Sequence, residues 1–448
     1  MIPLQNTSFK LDFSGVAGFF GGDEAIAAMT SVHIRGGTKW LGWYNSPGSA
    51  AVARKYGELS GSRLWRAFFP GAPGAPEDPT CLFDFYGKSG PKYVAAYSGT
   101  KIADTGHVGN LFLQMCLLVK PTEVDRKRQT LPGCVTVVML HSTQNFETDA
   151  TLPTRASALL AGVPILSSAA ACATCAIFKD WFCFAMLVLG ILSSGLACFV
   201  IGSGTLKFVP PKPARGSPKG DGILLADREI IVVLGKEEVV NSITKGRFML
   251  RFSSDSEHGP SQRHFIGLAS LLLTAQFLLQ LLLIPQGTLF GQMLFLLTLA
   301  ISWAYNSYLS SFERHGMPGR ILMTKVLDKP VVKRYTLGTR TAVVVFAALV
   351  LQPPNPSEIL ELLPDTETWK IWKRVVGVKL EKREKLSFDE PDYADLAGNE
   401  RDLLKLLYDD AHDAYLGYLR FWDSNGLEQE REKDSWESRG DDLSRSMA

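Results

Sequence analysis

The residues with the clearest chemical potential are Cys172 and Cys175, whose C-x-x-C spacing matches that of redox and metal-binding thiols. Such chemistry requires an ionised sulfur, and the pair lies in an uncharged apolar run, where burial opposes ionisation. Alanines surround both cysteines, so the stretch favours close packing between helices over metal or redox chemistry. Gly190 and Ser194, in the next apolar run, carry the same small-residue pattern and are predicted to pack in the same way.

Two short motifs resemble nucleotide-binding sequences without completing them. Gly87-Lys88-Ser89 matches the end of a phosphate-binding loop, but Leu82 occupies the position of the required upstream glycine. Gly21-Gly22-Asp23-Glu24 resembles the diguanylate cyclase signature, yet no nucleotide-binding context accompanies it. The seven histidines are scattered, and we find neither a zinc signature nor a nucleophile elbow. The sequence therefore predicts no catalytic residue, no metal and no cofactor, and it argues against an enzyme.

Three glutamines are the largest polar side chains within the apolar runs. Gln276 and Gln280 lie four residues apart, so one helix face carries both, and Gln292 lies in the following run. Buried amides in a membrane either hydrogen-bond between helices or line a solute path. Bridging is the simpler interpretation, and a solute path past the three glutamines is the alternative. The runs contain no acid, base or histidine, which argues against ion-coupled transport.

The polar residues above lie on four long uncharged runs in the middle of the 448-residue chain. A helix needs about 20 apolar residues to cross a hydrocarbon core of about 30 Å. Lys179-Asp180 alone separates the first two runs, and Pro285-Gln286 the last two, so each pair predicts a tight helical hairpin. The runs are Ser157–Phe178, Trp181–Leu206, Phe265–Ile284 and Gly287–Tyr305. The predicted fold is an α-helical integral membrane protein with four transmembrane helices as two hairpins.

Polar segments before, between and after the hairpins predict an α+β cytosolic assembly. The run Thr341–Gln352 is apolar but too short to span, which predicts a buried or membrane-dipping element. The predicted divisions are a soluble α+β domain (1–150), hairpin 1 (157–206), a cytosolic β-rich insert (207–263), hairpin 2 (264–308), a cytosolic helical region (309–422) and a disordered charged tail (423–448).

Two amphipathic helices are predicted after the second hairpin. Residues 357–385 place Trp369 and Trp372 on one face with lysines opposite, and residues 400–422 repeat apolar side chains at spacings of three and four. The basic aromatic stretch around Trp372 fits two arrangements. It either packs on the soluble part of the chain or lies on an anionic membrane surface.

The distribution of Lys and Arg predicts the orientation of the hairpins. Ten lie between the hairpins and seven follow in residues 314–340, whereas the two hairpin tips together carry only Lys179. Positive residues in short loops favour the cytosol, so both termini and the middle segment are predicted to be cytosolic. The aromatic residues predicted to anchor the helices at the membrane interface are Trp181, Trp303, Tyr305 and Tyr308.

Two apolar stretches carry a resemblance to known proteins. They are Leu273–Gln292, continued by Ala300–Ser311, and Trp181-Phe-Cys-Phe-Ala-Met-Leu-Val-Leu-Gly-Ile-Leu-Ser-Ser-Gly195. From about Thr151 to Trp372 the chain resembles a group of uncharacterised multi-pass membrane proteins of mushroom-forming (basidiomycete) fungi. The resemblance implies a fungal membrane protein and brings with it no activity, ligand or site residue.

Composition narrows the expected partners. A net charge of +2 lacks the basic excess typical of nucleic-acid binding, so no nucleic acid is expected. The expected partners are the lipid bilayer and a protein partner or a second copy of the chain on the cytosolic face. The leading hypothesis is a membrane-anchored interaction or regulatory protein. The alternatives are a small-solute channel or transporter and, less favoured, a membrane-associated enzyme.

Overall fold

The structure is a computed structural model that describes residues 22–35, 37–60, 67–69, 82, 89–124, 128–130, 132–141, 148–149, 157–211, 214–227, 229–252, 262–311, 316–389 and 398–423. The predicted tail after residue 423 and the Gly87-Lys88 part of the phosphate-loop motif lie outside these residues. The helices are α1 (Gly22–Ser31), α2 (Ser49–Leu59), α3 (Gly106–Leu117), α4 (Ser157–Leu160), α5 (Gly162–Ile177), α6 (Trp181–Ile201), α7 (Glu237–Thr244), α8 (Gln262–Leu283), α9 (Leu289–Ser311), α10 (Gly316–Ile321), α11 (Arg340–Leu351), α12 (Ser357–Leu360), α13 (Glu367–Glu381) and α14 (Asn399–Asp423). The strands are β1 (Lys92–Ala95), β2 (Lys101–Ile102), β3 (Thr122–Glu123), β4 (Gly133–Met139), β5 (Thr148–Asp149), β6 (Gly204–Val209), β7 (Gly222–Leu225), β8 (Glu229–Leu234), β9 (Arg247–Phe252) and β10 (Val331–Leu337).

The chain forms two compact units, each assembled from three separate segments. The helical unit contains residues 1–88, 144–210 and 246–326, and the sheet unit contains 89–143, 211–245 and 327–448. The structure thus divides the predicted domain 1–150 and the predicted insert 207–263 between the two units. The strands of the two predicted divisions pair largely with strands that are distant in the sequence. Local patterns of apolar residues do not reveal such pairing.

The sheet unit is built on a seven-stranded mixed sheet with the order β2-β1-β7-β8-β4-β10-β3. The pairs β4–β8 and β10–β3 are parallel, and the other neighbours are antiparallel. Strand β4 comes from the segment before the first hairpin, and its two neighbours, β8 and β10, come from the segment between the hairpins and the segment after the second. One continuous ladder of backbone hydrogen bonds therefore joins all three segments of this unit.

One face of this sheet is covered by α11, which is buried along its whole length from Thr341 to Leu351. Because α11 is surrounded by protein on all sides, its uninterrupted apolar sequence is that of a core helix. The helix predicted around Trp372 is α13, and Trp372 and Val376 are fully buried in the same core. The structure therefore places this helix in the packed arrangement, with its aromatic face on the α/β body.

The opposite face of the sheet is buried as well. Ile231 and Val233 of β8 are fully buried but lie outside the core beneath α11, as alternation along a strand requires. Helices α3 and α7, which pack against each other, are the remaining described helices of this unit and supply the buried Phe112 and Val240. Both faces of the mixed sheet are therefore buried.

The helical unit contains the long apolar helices. Helix α5 packs on α6 and α9, and α6 packs on α8. Among the described residues, three helical stretches are long and apolar enough to cross a membrane, namely Trp181–Ile201, His264–Gln286 and Leu289–Ser311. Their outward faces carry large exposed apolar side chains, such as Leu282 at 66% exposure and Leu297 at 56%. A small sheet of β5, β6 and β9 belongs to the same unit.

The first apolar run is interrupted at Ala161, where α4 ends and α5 begins. Pro164, in the first turn of α5, has no backbone N–H and cannot donate to Leu160. Ala161 nevertheless has helical backbone angles, and the N–H of Ile165 donates to its carbonyl. Helix α5 alone has 16 residues, whereas residues 157–177 form a nearly continuous helix.

Helices α1 and α2 belong to the helical unit, although they were predicted as parts of a soluble domain. Helix α1 packs on α9, α2 packs on α8, and the two pack on each other. Helix α2 is amphipathic, with Val52, Ala53 and Tyr56 buried and Arg54 exposed. The loop between them lies among the apolar helices and forms the site described next.

Candidate functional site

The loop Leu41–Gly48 enters the helical unit through contacts with glycines of α6. A Cβ atom on Gly190 would lie 2.2 Å from the side-chain oxygen of Asn45, and one on Gly195 would lie 2.3 Å from the ring of Trp43. Only residues without side chains leave room for this approach. The small-residue face predicted for α6 therefore accommodates an irregular loop at Gly190.

Asn45 is fully buried and hydrogen-bonds to three different helices. Its backbone N–H donates to the hydroxyl of Ser168 on α5 (3.1 Å), and its side-chain amide donates to the hydroxyl of Thr298 on α9 (3.2 Å). Its side-chain oxygen accepts from the amide of Gln280 on α8 (3.2 Å). One asparagine from the loop therefore satisfies polar groups that would otherwise be unpaired inside an apolar bundle.

The predicted glutamine pair completes this network. The amide of Gln276 donates to the side-chain oxygen of Gln280 (3.4 Å), and both residues are buried. The amide of Gln280 also lies 3.3 Å from the carbonyl of Met186 on α6, to which it donates. The two glutamines thus share a face as predicted, and they bridge helices through Asn45.

Asn45 meets α5, α6 and α9 about halfway along these helices, whereas its partner Gln280 is three residues from the end of α8. Its contacts in α5, α6 and α9 each lie nine residues from the helix end at the hairpin tip: Ser168 from Ile177, Gly190 from Trp181 and Thr298 from Leu289. At about 1.5 Å per residue, Asn45 lies about 14 Å from that end of the bundle. This depth is close to half of a hydrocarbon core of about 30 Å.

Gln292 takes part in a different structure, at the tip of the second hairpin. Its amide donates to the carbonyls of Pro285 (3.3 Å) and Gly287 (3.0 Å), which closes the turn between α8 and α9. The structure therefore does not bring Gln292 together with Gln276 and Gln280 in one hydrogen-bonded group.

Asp180 links the tips of the two hairpins. Its carboxylate accepts from the backbone N–H of Cys183 (3.2 Å), and from both the N–H (2.9 Å) and the hydroxyl (2.6 Å) of Thr288. Gly291 leaves the necessary space, because a Cβ there would lie 2.1 Å from the carboxylate. Three hydrogen bonds on one buried carboxylate are a strong anchor at this end of the bundle.

Tyr44, Ser46 and Asn306 form a second hydrogen-bonded group, which lies further from the hairpin tips than Asn45. The hydroxyl of Tyr44 donates to the side-chain oxygen of Asn306 (2.9 Å), and the amide of Asn306 donates to the hydroxyl of Ser46 (3.2 Å). Tyr44 also meets the ring of Tyr305 edge-on, at 5.8 Å between centroids. The loop is thus fixed to α9 on both sides of Asn45.

A cavity of about 50 Å³ lies beside this second group. A cavity needs about 10–15 Å³ to hold one water molecule, so this one has room for a small chemical group. Its polar lining residues are Ser31, Arg35, Thr38, Tyr44, Ser46, Ser194, Cys198, Tyr305 and Asn306. Its apolar lining includes Met29, Val32, Leu41, Val52 and Leu309.

The other predicted site residues have packing or surface positions. Cys172 and Cys175 are free thiols on the buried face of α5, within the apolar core shared with α6 and α9. Trp181 is exposed at the start of α6 and meets Phe184 edge-on, and Tyr308 is exposed near the end of α9. Trp303 lies on the same helix, half-buried.

Two ion pairs link buried parts of the sheet unit. Arg334 of β10 forms an ion pair with Glu229 of β8, and it donates to the carbonyls of Leu117, the last residue of α3, and of Val119. Arg128 donates to the buried carboxylate of Asp410 at 3.0 Å. Burial raises the pKa of Asp410, and the charge of Arg128 opposes that rise. These pairs join strands and helices of the core.

Sequence reasoning missed the residues that organise the site. Asn45, Ser168 and Asp180 were not singled out, and the loop at Asn45 was assigned to a soluble domain. The sequence carries one signal, because Gly42–Gly48 is rich in turn-forming residues. This composition is that of an ordinary turn, so it does not reveal the buried partners of Asn45. Within the described residues, no group of three or more His, Cys, Asp or Glu side chains is arranged to hold a metal ion.

Comparisons with protein-family models, with curated proteins and with solved structures find no match. The resemblance to basidiomycete membrane proteins stays a prediction.

Proposed function

We propose that the chain is a four-span membrane protein whose helical unit anchors the sheet unit at the cytosolic surface, where it acts as an interaction or regulatory module. The support comes from the assembly of one sheet from segments on either side of each hairpin, and from the hydrogen bonds that join Asn45 to the helices of the helical unit.

The pairing within the sheet restricts the number of membrane crossings. Strand β4 precedes the first hairpin, its neighbour β8 follows that hairpin, and its other neighbour β10 follows the second. An open sheet cannot continue through a bilayer, because its backbone groups need water or protein partners. All three strands must therefore lie on one side, and each hairpin must cross an even number of times.

An even number of crossings requires a second span in the first hairpin, which gives the molecule four spans in all. The segment between β4 and β7 contains α6, which is long enough to cross alone, so a second crossing must accompany it. The 21 residues from Ser157 to Ile177 have a helical length of about 31 Å, which matches the hydrocarbon core. The excess of Lys and Arg outside the tips supports a cytosolic position for the sheet unit and both termini.

The polar network around Asn45 favours an anchoring role for the helices over transport. Asn45 occupies the space beside Gln280 and Gln276, which the transport hypothesis requires as a path. Interhelical hydrogen bonds of this kind hold membrane helices together. The activity would then belong to the sheet unit, whose α14 exposes Leu403 and Leu406.

The partner hypothesis is tested by purifying the full chain from its native membranes in a mild detergent and measuring the mass of the complex. We expect a mass above that of one 49.2 kDa chain with its detergent, because of a protein partner or a second copy. Leu403→Asp combined with Leu406→Asp should reduce this mass, whereas Lys382→Asp, directly after α13, is the control. A single chain in every sample would contradict the proposal.

A channel or transporter is the second candidate, because the irregular loop at Asn45 reaches the middle of the apolar helices. Irregular backbone at such depth occurs where it is buried in protein or lines a solute path. In this case the loop would have to move during transport. Replacing Gln276 and Gln280 together by Leu should then change solute flux into vesicles containing the protein, and an unchanged flux would exclude this candidate.

A further inference from the structure

We propose that the cavity beside Tyr44 binds the hydroxyl group of a neutral membrane lipid, a sterol or a long-chain alcohol, and that Ser194 donates a hydrogen bond to it. This role is separate from the partner role of the sheet unit and requires only the membrane insertion proposed for the helical unit. Three features support it: an unpaired buried hydroxyl, a lining of acceptors and apolar side chains, and a position near one end of the bundle.

Ser194 is a buried hydroxyl whose hydrogen is not used inside the protein. It lies on α6, lines the cavity and is only 4% exposed. A serine or threonine in a helix can donate to the carbonyl four residues earlier, as Thr174 of α5 does to Ala170. Ser194 makes no such bond and has no hydrogen-bond partner among the described residues. Because a buried donor without a partner is costly, a ligand oxygen beside Ser194 would be stabilising.

Four other hydroxyls of the lining offer acceptors. They belong to Ser31, Thr38, Tyr44 and Ser46, and each already donates to a protein oxygen. A hydroxyl oxygen that donates still has lone pairs that accept. A ligand hydroxyl both accepts and donates, so it can bond to Ser194 and to one of these oxygens together. A carboxylate only accepts, and it would find the hydrogens of these four hydroxyls already in use.

Arg35 also lines the cavity, and it already has an interaction partner in the structure. A neutral ligand needs no counter-ion, so its binding leaves that interaction intact. The proposed role therefore depends on Ser194 and on the space beside it, not on the charge of Arg35.

The size of the cavity and its apolar walls favour an alcohol carried on an apolar body. About 50 Å³ holds a hydroxyl group and a few carbon atoms, so the remainder of a lipid must lie outside. Val32, Leu41 and Leu309 line the cavity around its polar groups. Carbon atoms next to the ligand hydroxyl would bury these apolar side chains, whereas water in the cavity would gain nothing from them.

The cavity lies away from the hairpin tips. Ser194 is 13 residues from Trp181 at the tip end of α6, and Asn306 is 17 residues from Leu289 at the tip end of α9. At about 1.5 Å per residue, these lining residues are about 20 and 25 Å from the tips, within a hydrocarbon core of about 30 Å. A four-span arrangement places them near the cytosolic membrane surface, which is the level of the polar groups of lipids.

The neighbouring surface offers apolar contacts to the body of a lipid. Trp40 precedes the lining residue Leu41, and Phe199 follows the lining residue Cys198. The two rings contact each other at 4.7 Å between centroids, and Trp40 is 55% exposed. Exposed tryptophan is enriched where membrane proteins meet the head-group level. These rings are therefore available to the apolar body of a lipid whose hydroxyl is in the cavity.

The test measures binding of tritiated cholesterol and, separately, of tritiated oleyl alcohol to the full chain in a mild detergent, with protein-free beads as background. We expect saturable binding of at least one of the two, and the one that binds identifies the source of the hydroxyl. No saturable binding of either would overturn the proposal. Cysteine labelling tests membrane insertion separately, so this negative result would not bear on the number of spans.

Ser194→Ala should weaken binding about fivefold, because the ligand oxygen loses its donor. Without ligand, the unfolding temperature of this variant should not fall, since the hydroxyl has no partner to lose. Ser193→Ala is the matched control: Ser193 lies on the same helix, is fully buried and is also unpaired within the described part of the chain, but it does not line the cavity. Equal binding to Ser194→Ala and the wild type, or equal weakening by Ser193→Ala, would overturn the proposal.

Competition with unlabelled molecules identifies the chemical group that is bound. The unlabelled alcohol should displace the label. Cholestane and octadecene lack the hydroxyl, oleate carries a carboxylate in its place and ethanol lacks the apolar body, so none of these four should compete at the same concentration. Equal competition by cholestane or octadecene would show that the hydroxyl is not recognised, and equal competition by oleate would assign the cavity to an anion. Either result, or equal competition by ethanol, would overturn the proposal.

Discussion

At the scale of single residues, the helical unit depends on buried polar side chains that find each other across long distances in sequence. Asn45 bonds to Ser168, which is 123 residues away, and to Thr298, which is 253 residues away. Each bond removes an unpaired group from an apolar interior, where such a group is costly. The cost of breaking them can be measured one residue at a time.

Ser168→Ala should lower the free energy of unfolding by about 1–2 kcal/mol, because the backbone N–H of Asn45 then has no partner in a buried position. Ser167→Ala is the matched control, since that hydroxyl donates only to the carbonyl of Pro164 in its own helix. The measurement is thermal or denaturant unfolding of both variants in the same detergent. Equal stability of the two variants would contradict the assigned role of the network.

His33 should make the helical unit sensitive to acid. It is buried between the carbonyl of Gly204 (2.9 Å) and the hydroxyl of Tyr56 (3.1 Å), and burial lowers its pKa from 6.5 to about 4. The unfolded chain therefore takes up a proton below pH 6.5 before the folded chain does. Stability should be complete above pH 6.5 and fall by about 2 kcal/mol at pH 5 from this group alone.

The measurement for His33 is the unfolding free energy at pH 7 and pH 5 for the wild type and for His33→Gln. Glutamine does not titrate, so the variant should lose about 2 kcal/mol less between these pH values. His264→Gln is a control, because His264 is exposed at the start of α8. The same pH dependence in the wild type and in His33→Gln would show that another group is responsible.

At the scale of elements, helix α6 and the loop Leu41–Gly48 fit together only because α6 has glycines at the points of contact. Gly190→Ala should destabilise the unit by about 1–3 kcal/mol, since its Cβ would overlap the side-chain oxygen of Asn45. Gly162→Ala on α5 is the control, because a Cβ there meets nothing within 4 Å. Loss of stability in both variants, or in neither, would contradict the close approach at Gly190.

The carboxylate of Asp180, which joins the tips of the two hairpins, leads to a second prediction about stability. Asp180→Ala should lower the unfolding free energy by about 2–3 kcal/mol, because it leaves Thr288 and the N–H of Cys183 without their charged acceptor. Lys179→Gly should cost little, since Lys179 is exposed and has a left-handed backbone (φ 57°) that glycine adopts freely. Similar effects of the two changes would mean that the turn, and not the carboxylate, stabilises the tips.

The apolar helices and α14 could be predicted from the sequence, because their pattern is local. The long runs without charge lie on α5, α6, α8 and α9, and the repeat in residues 400–422 matches α14. The strand β10 was missed within a predicted helical region, and its pairing with β4 joins residues about 200 apart. The loop at Asn45 was missed for the same reason, since only its distant partners distinguish it from an ordinary turn.

At the scale of the whole molecule, the two segments that carry the long apolar helices interrupt the sequence of one sheet unit. The chain leaves the sheet after β4 and after α7, and each time it returns to add a strand beside or near β4. Completion of the sheet therefore requires the chain to return after each of these segments. This requirement makes the number of crossings in each hairpin the central claim about the protein.

The most direct test of that claim is the labelling of single cysteines in sealed membranes by a reagent that cannot cross them. The positions are Ser217 between the hairpins, Gln286 at the tip of the second hairpin and Glu384 after α13, each replaced by Cys, with the unsubstituted chain as background. We predict that Ser217→Cys and Glu384→Cys react from the cytosolic side and that Gln286→Cys reacts only from the opposite side. Reaction of Ser217→Cys and Glu384→Cys from opposite sides, or of Gln286→Cys from the cytosolic side, would contradict the four-span account.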